Sequence, residues 1–303
     1  MGELFNNINK FSNSTALIDE KLDKISYSDL IEKSDEIKKK IKFNSVALLV
    51  GDNSAEFVIG YLAFLRKKKI ISILLDNSFS NEFISKIFFL YKPNYLFCSK
   101  KIKINYKSLF NVINFSEYAI YQTNYNYYKN LNFKNFLLIS TSGTTQNPKF
   151  VRLSEVNIQD NVKKIINYLK IKEKQITITT MPMGYSYGLS ILNSHLVAGS
   201  TVVLNNKTVI DKNFWDKINK YKVNSFGGVP EFYEYLKRID FEKRITQSIK
   251  YLTQAGGKLE EKTLRYFGKI CKKSKVKFYV MYGQAEASPR MTYLKWKNFF
   301  SKI

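Results

Sequence analysis

The sequence predicts an α/β fold built from mostly parallel sheets. Short runs rich in β-branched and aromatic residues alternate along the chain with longer stretches of helical period, which is the pattern of βα units. One clear unit has a buried strand at residues 46–50, a capping group at 53–56 and a helix at 57–65. We find no repeat of fixed length, which argues against a solenoid.

The same alternation continues along the chain. Further strands are predicted at residues 70–75, 95–97, 136–140, 176–180, 201–204, 251–255 and 277–282. Further helices are predicted at residues 81–91, 154–169, 189–197, 213–221, 231–238 and 260–273. Residues 100–135 are rich in Lys, Asn and Tyr and lack clear periodicity, so we predict a connector there between two subdomains, 1–130 and 131–303.

Composition excludes two classes of protein. Apolar residues make up 45% of the 303 residues and aromatic residues 15%, which supports a packed core and excludes an intrinsically disordered chain. No apolar run approaches the roughly 18 residues that a membrane-spanning helix needs. Cys98 and Cys271 lie far apart, so we expect neither a disulfide framework nor a zinc site. The start lacks a secretory or myristoylation pattern, and we expect a cytoplasmic protein.

The net charge of +24 raises the question of a nucleic-acid partner. Only six of the 49 basic residues are arginines, whereas proteins that bind bases and phosphates favour the bidentate guanidinium. The lysines are spread among many Asn, Ile, Tyr and Phe residues, a bias that AT-rich coding DNA would produce. We therefore expect no specific nucleic-acid partner.

The first of three unusual loops follows the predicted strand at residues 136–140 and completes the run STSGTTQNPK at 140–149. Its hydroxyl groups, the backbone freedom at Gly143 and the cation of Lys149 are what a polyphosphate needs for binding. The Walker pattern is absent. Taken alone, the run is equally consistent with a polar turn closed by Asn147 and Pro148.

The other two loops also follow predicted strands. Gly256 and Gly257, followed by Lys258, allow a flat group such as a base to lie against the backbone, although a tight turn would explain them too. The last loop has an aromatic ring at Tyr282 that can stack on a purine, and a hard oxygen at Glu286 that suits Mg²⁺. Since ligands of such sheets bind outside the carboxyl ends of strands, these loops are the candidate site.

Together and in this order, the three loops resemble the motifs of the adenylate-forming (AMP-binding) enzyme superfamily, which includes acyl-CoA synthetases and adenylation domains. The run at 140–149 matches the phosphate-loop motif of that superfamily, and residues 282–286 match its later YG-x-x-E motif. Residues 255–257, 228–230 and 16–30 also resemble family segments, so the resemblance covers nearly the whole chain. It implies the fold of the large N-terminal domain, with two βα subdomains and mostly parallel sheets.

The resemblance also implies ATP and Mg²⁺ as cofactors. Glu286 and Thr144 would bind the metal, Tyr282 beside Gly283 would stack on adenine, and Lys149 and Glu286 would serve catalysis. The β and γ phosphates would be held by Thr141, Ser142, Gly143, Thr144, Thr145 and Lys149. The backbone at Gly256, Gly257 and Lys258 would line the purine.

For the acyl group, the resemblance points to the segment at residues 181–189, where Tyr185 lies three residues before Gly188. The residues expected to shape this pocket are Tyr185, Tyr187, Gly188, Phe226, Gly227 and Gly228. The alternative is that these aromatic residues belong to the core. His195, the only histidine, lies in a predicted helix, where we expect it to pack or form hydrogen bonds rather than titrate.

Several departures from the family pattern matter. Gln146 and Phe150 stand where the family usually has glycine, and Ala285 replaces a threonine whose hydroxyl would bond the α-phosphate. The chain ends at Ile303, whereas full-length members continue into a hinge and a small C-terminal domain with a catalytic lysine. We therefore expect an incomplete AMP-binding domain over residues 1–303, impaired unless a C-terminal domain is supplied separately.

The leading interpretation is activation of a small carboxylic acid by ATP to an acyl-adenylate, followed by transfer to the thiol of CoA or of a phosphopantetheine carrier protein. This would make the chain part of an AMP-forming acid–thiol ligase. The alternative is a noncatalytic relative that binds a nucleotide or an acyl group. Both interpretations assume that separate turns at the same rim of one sheet converge on one triphosphate, magnesium and purine.

Overall fold

The computed structural model describes residues 4–21, 23–126, 136–140 and 149–302. Its strands are β1 Thr15–Asp19, β2 Asp23–Ser26, β3 Ser45–Gly51, β4 Ile70–Asp76, β5 Tyr95–Ser99, β6 Leu109–Asn114, β7 Tyr118–Thr123, β8 Phe136–Ser140, β9 Phe150–Ser154, β10 Ile176–Ile178, β11 Thr201–Val203, β12 Ser225–Gly228, β13 Tyr251–Gln254, β14 Lys277–Tyr282 and β15 Thr292–Tyr293. Its α-helices are α1 Tyr27–Lys40, α2 Ala55–Arg66, α3 Asn81–Tyr91, α4 Glu155–Leu169, α5 Ser186–Val197, α6 Lys212–Lys220, α7 Pro230–Arg238, α8 Phe241–Arg244, α9 Glu261–Lys273 and α10 Phe299–Lys302.

The strands form two mixed sheets. Within the described residues, one sheet has the order β6-β7-β5-β3-β4-β8-β9, with the inner strands β5, β3, β4 and β8 parallel to one another. The other has the order β15-β14-β13-β12-β10-β11-β1-β2, in which all neighbours from β14 to β1 are parallel. Antiparallel strands lie at the edges of both sheets, so the predicted α/β class with mostly parallel sheets is confirmed.

Apolar side chains arrange these sheets and helices in layers. The largest core cluster joins inner faces of both sheets through α1, α2, α4 and α5; Leu17 of β1 and Leu49 of β3 both belong to it. A second cluster packs α6, α7 and α9 on the outer face of the sheet that contains β13. A third packs α3 on the outer face of the sheet that contains β3. Two sheets thus enclose one helical layer and carry helices on their outer faces.

Local sequence explains where several helices begin. Ser26 and Asp29 form a reciprocal capping box at the start of α1, and Ser154 and Asn157 form one at the start of α4. The side chain of Ser80 accepts a hydrogen bond from the backbone N–H of Phe83 at the start of α3. These caps satisfy backbone donors that a helix start otherwise leaves without partners.

Most of the predicted elements are confirmed, and α3, β8 and β14 have the predicted bounds. The prediction of a connector at residues 100–135 is wrong in part, because β6 and β7 form an antiparallel pair there. The strands β1, β2, β9, β12 and β15 and the helices α1, α8 and α10 were not predicted. Both sheets include strands from either side of residue 130, and the division into subdomains 1–130 and 131–303 stays a prediction.

Two further expectations concern the whole chain. Every helix among the described residues is too short or too polar to cross a bilayer. Cys98 and Cys271 are both buried and form no disulfide, and burial raises the pKa of each thiol to about 12. Both cysteines therefore act as small core residues.

Candidate active site

A cleft of about 470 Å³ opens at the carboxyl ends of several parallel strands. The loops that follow β10, β12, β13 and β14 reach the same edge of their sheet because these strands run in the same direction. Residues from all four loops and from the end of β8 line the cleft: Ser140, Met181, Pro182, Tyr185, Ser186, Tyr187, Val229, Ala255, Gly256, Gly283, Gln284, Ala285, Glu286, Pro289 and Arg290. Five of them were predicted site residues, namely Tyr185, Tyr187, Gly256, Gly283 and Glu286.

The phosphate loop comes from the other sheet. It follows β8, which pairs with β4 and β9, whereas β13 and β14 belong to the sheet described above. The expectation that the turns lie at the rim of one sheet is therefore wrong in this respect. The cleft is formed between two sheets, since Ser140 lines it together with Gly256 and Glu286.

Most of the phosphate loop lies outside the described residues, including Thr141, Ser142, Gly143, Thr144 and Thr145. The flanks of the loop are described. Ser140 is buried, and its hydroxyl has no hydrogen-bond partner among the described residues. Lys149 is exposed immediately before β9, and β9 contacts the 3-10 turn Ala285–Ala287. Lys149 and Glu286 therefore lie on the same side of the molecule.

The glycine loop after β13 is held open by its own backbone geometry. Gly256 has a φ of +83°, a left-handed conformation that favours glycine. The side-chain amide of the buried residue Gln254 donates a hydrogen bond to the carbonyl oxygen of Gly257 at 2.8 Å. Gly256, Gly257 and Lys258 are all exposed, so their backbone is accessible to a ligand.

The loop after β14 presents an aromatic ring and a carboxylate to solvent. The side chain of Tyr282 is 61% exposed at the end of β14, which leaves its ring accessible for stacking. Gly283 allows the chain to pass close to the backbone of Arg290, where a Cβ atom would lie 3.0 Å from the Cα atom. Glu286 is exposed in the 3-10 turn and lines the cleft.

Two tyrosines that were predicted to contact the acyl group line the cleft. Tyr185 is partly exposed at the start of α5, and burial together with the nearby charge of Asp76 raises its pKa. Tyr187 is buried; its hydroxyl donates a hydrogen bond to the carbonyl oxygen of Thr253 at 3.0 Å and lies 2.8 Å from Thr253 Oγ1. Burial raises the pKa of Tyr187 to about 12, so the ring is neutral at ordinary pH.

The remaining predicted acyl-pocket residues lie behind the cleft surface. The side chain of Phe226 packs in the core cluster on the outer face of its sheet, and the structure does not bring it to the cleft. Gly227 allows Tyr187 to approach, because a Cβ atom there would lie 2.6 Å from the tyrosine hydroxyl oxygen. Gly188 allows α5 to pass the carbonyl of Pro182, while Gly228 packs against Phe232. These glycines act by close packing.

Three side chains that help to form the site had no role predicted from the sequence. Ser140 and Arg290 line the cleft, and Gln254 supports the glycine loop. Ser140 is the first residue of the motif at 140–149 and Gln254 directly precedes the motif at 255–257, so both had a local signal, whereas Arg290 lies four residues beyond the motif at 282–286. Backbone strain is a further feature near Arg290, because Ser288 and Arg290 have φ values of +62° and +63°.

Comparison with known proteins identifies the family. The model of the AMP-binding enzyme family matches residues 4–301, which is nearly the entire chain. The chain belongs to the AMP-binding enzyme family. Oxalate–CoA ligase of Saccharomyces cerevisiae is 29% identical over 158 residues, covering 52% of this chain and 28% of the yeast enzyme. D-alanine–D-alanyl carrier protein ligase of Lacticaseibacillus rhamnosus is 29% identical over 163 residues, covering 52% of this chain and 31% of that ligase.

Solved structures of AMP-binding enzymes share the fold. o-Succinylbenzoate CoA synthetase of Bacillus subtilis, in complex with ATP and magnesium ion, superposes with a TM-score of 0.77 at 19% sequence identity. The alignment covers 99% of this chain and 63% of the synthetase. This AMP-binding chain thus has the fold predicted from its motifs, and it spans less than two thirds of the length of these relatives.

Proposed function

We propose that the chain performs the acid-activating step of an ATP-dependent acid–thiol ligase. A carboxylate oxygen of the substrate would attack the α-phosphorus of ATP, forming an acyl-adenylate as the bond to pyrophosphate breaks. The observation that supports this best is the convergence of Ser140, Gly256 and Glu286 on one cleft from two different sheets. Since two anions must meet in this step, catalysis would depend on positioning and on charge neutralisation.

The charged groups near the cleft suit a nucleotide with magnesium. Lys149 and the hydroxyl of Ser140 flank the phosphate loop, where a phosphate oxygen would supply the partner that the buried hydroxyl lacks among the described residues. No group of three or more His, Cys, Asp or Glu side chains within the described ranges could hold a metal. Glu286 suits Mg²⁺ because this ion is commonly bound by one or two carboxylates together with substrate phosphates. When bound, Mg²⁺ would neutralise phosphate charge.

The purine and the acyl group would occupy different parts of the cleft. The exposed ring of Tyr282 and the accessible backbone at Gly256 and Gly257 favour the purine. Apolar surface for the acyl group is provided by Met181, Tyr187 and Val229. These residues come from the loops after β10 and β12 and from the start of α5. Relatives named as a CoA ligase and a carrier-protein ligase support a thiol of CoA or of a carrier protein as the acceptor.

Binding of Mg·ATP tests the nucleotide site. We expect Lys149→Ala and Glu286→Gln each to weaken binding by about tenfold to a hundredfold, because hydrogen bonds to charged groups contribute about 1.5–3 kcal/mol. Isothermal titration calorimetry with ATP, in the presence and absence of Mg²⁺, measures both effects. Only the Glu286→Gln variant should lose most of the dependence on Mg²⁺.

Two substitutions outside the cleft serve as matched controls. Lys262 is exposed on α9 and Glu82 is exposed on α3, and both helices lie on outer faces of the sheets. Lys262→Ala and Glu82→Gln should leave ATP affinity unchanged. If the unmodified chain does not bind ATP with Mg²⁺, or if the controls weaken binding as much as the site variants, the nucleotide site is misassigned.

A noncatalytic nucleotide-binding protein is the second candidate. It is favoured by Ala285, which lacks the hydroxyl of the threonine that the family usually has at this position. Loss of one hydrogen-bond donor to the reacting phosphate can cost about 3 kcal/mol of transition-state stabilisation. ATP–pyrophosphate exchange with a panel of acids distinguishes the two candidates, measured with and without a C-terminal domain added from a relative. ATP binding without exchange under both conditions would support the noncatalytic candidate.

A further inference from the structure

Arg290 is a buried cation in the wall of the cleft. It is 5% exposed, and it lines the cleft together with Tyr187 and Glu286. Among the described residues lining the cleft, it is the only one with a cationic side chain. Its guanidinium carbon lies 4.8 Å from the ring centroid of Tyr187, which places the charge against the acyl side.

The guanidinium group forms no ion pair in the described part of the chain. Its three nitrogen atoms are buried and make no hydrogen bond within normal distance and angle limits there; the hydroxyl of Tyr168 interacts with the guanidinium. Its charge acts on the side chains of Tyr168, Tyr187, Tyr251 and His195, each of which is held neutral mainly by burial. A cation in such surroundings strongly favours a bound anion.

We propose that Arg290 selects acid substrates that carry a second carboxylate in addition to the one that is activated. This inference rests on the proposed function. A planar guanidinium can bind a carboxylate through two parallel hydrogen bonds, which combines charge compensation with a fixed orientation. The otherwise neutral or apolar surface at Met181, Pro182 and Val229 would then contact the carbon chain between the two acid groups.

The chemistry of activation explains why Arg290 should bind a carboxylate other than the one that is activated. The activated carboxylate becomes a mixed anhydride with AMP and loses its charge. If that carboxylate were the partner of Arg290, the guanidinium would lose its carboxylate partner once the acid is activated. A second carboxylate keeps its charge throughout, so it compensates Arg290 in the substrate complex and in the acyl-adenylate.

Matched pairs of acids test the inference on the full chain. Succinate is compared with butyrate, and phthalate with benzoate, by calorimetry in the presence of Mg²⁺ and α,β-methylene-ATP. In at least one pair we expect the diacid to bind at least about tenfold more tightly than the monoacid. Arg290→Gln should remove this preference and leave monoacid affinity within about twofold, while Arg290→Lys should retain part of it because lysine lacks the bidentate fork.

Arg238 supplies a matched control. It is exposed on α7 and its guanidinium carbon lies 5.6 Å from the ring centroid of Tyr235, a similar contact outside the cleft. Arg238→Gln should leave both affinities unchanged. Equal losses of diacid and monoacid binding in Arg290→Gln, or no preference for a diacid in the unmodified chain, would overturn the inference.

Thermal unfolding without ligand separates this role from a purely structural one. Arg290→Met removes an uncompensated buried charge, so we expect the melting temperature to rise or stay unchanged. A clear decrease in both Arg290→Met and Arg290→Gln would assign Arg290 to stability instead. Normal nucleotide binding without a diacid preference would refute only this inference, whereas loss of nucleotide binding in the unmodified chain would refute the proposed function with it.

Discussion

His195 lies inside α5, and both nitrogen atoms of its ring have partners. Nδ1 lies 2.8 Å from the carbonyl oxygen of Ile191, which can only accept, so Nδ1 carries the proton and donates it. Nε2 then accepts from the hydroxyl of Tyr251 at 3.1 Å. Burial, with a smaller contribution from the charge of Arg290, lowers the pKa of His195 to about 4. The expectation that this histidine packs and forms hydrogen bonds is confirmed.

The buried ring should make stability depend on pH. An unfolded histidine has a pKa of about 6.5, so below that pH the unfolded chain takes up a proton that the folded chain excludes. This contribution to stability is present above about pH 6.5 and lost as pH falls, and between pH 7 and pH 5 we expect a loss of about 2 kcal/mol. Urea unfolding of the unmodified chain and of His195→Gln at both pH values measures it, and equal pH dependence in the two proteins would contradict the assignment.

At the scale of single residues, the sequence does not show which polar side chains the fold will bury. The motif of Glu286 was sufficient to place this carboxylate at the cleft, and Lys149 lies on the same side of the molecule. Arg290 had no comparable local signal, because the sequence around it does not show that its side chain is enclosed by tyrosines from α4, α5 and β13. For Phe226, the motif predicted a role at the site, while the core cluster determines where the side chain packs.

Among the elements, the pair of β14 and β15 determines the position of the magnesium-binding candidate. β15 is antiparallel to β14, with Tyr282 opposite Thr292, so the chain turns back over the nine residues 283–291. Gly283 makes this possible, because its backbone lies against that of Arg290. Both Glu286 and Arg290 lie within the resulting turn, and their positions therefore depend on this glycine.

We expect Gly283→Ala to disrupt this turn. The added methyl group would overlap the backbone of Arg290, which can move only if β15 moves, and such overpacking costs about 1–3 kcal/mol of folding free energy. ATP affinity should fall together with stability. At Gly257 the nearest obstacle is the ring of Pro230 at 3.0 Å, so Gly257→Ala should be less destabilising in the same urea unfolding measurement. A fully stable Gly283→Ala variant would show that the turn is not constrained in this way.

Whether a strand was predicted from the sequence depends on how completely its residues are buried. β3 and β4 are almost entirely buried, and their continuous apolar runs were sufficient for prediction. β6 is an edge strand with a largely exposed surface, so its sequence lacks the alternation that marks a half-buried strand. β12 contains Gly227 and Gly228, which have low strand propensity, and it forms because its neighbours β10 and β13 pair with it.

At the scale of the whole molecule, Asn53 connects the two sheets. It follows β3, is buried, and donates hydrogen bonds to the carbonyl oxygens of Met181 at 3.1 Å and Asn205 at 3.0 Å. Its side-chain oxygen accepts from the backbone N–H of Met183 at 3.2 Å. These partners follow β10 and β11 of the other sheet, and Met181 itself lines the cleft. The side-chain amide of Asn53 thus links the end of β3 to a loop of the other sheet that lines the cleft.

Asn53→Ala should therefore be strongly destabilising. The carbonyl of Met181 and the N–H of Met183 would lose their partner, whereas the carbonyl of Asn205 keeps the hydroxyl of Thr179. We expect a loss of about 3 kcal/mol in the free energy of unfolding, because each unsatisfied group costs about 1–3 kcal/mol. Chemical denaturation followed by circular dichroism measures this. Asn111 is exposed on β6, and Asn111→Ala should change stability by less than about 0.5 kcal/mol. Similar effects in both variants would exclude the proposed connection.

The cleft between two sheets is the property that sequence analysis could not predict. The motifs identified the loops, and the parallel order of β10, β12, β13 and β14 brings three of the predicted segments to one edge. The position of β8 depends on its pairing with β4, which is separated from it by about 60 residues in the chain. No local pattern specifies such a pairing, so the expectation of a single sheet was wrong for the phosphate loop.

The hairpin of β8 and β9 has a consequence for how such domains diversify. Ser140 of β8 is paired directly with Phe150 of β9, so the ladder closes immediately beside the intervening segment. All five residues of β8 are paired with residues of β9, so we expect replacements between positions 140 and 150 to leave this pairing intact. Recombination at these two anchor points would exchange the proposed phosphate-binding segment between paralogues while the scaffold is inherited unchanged.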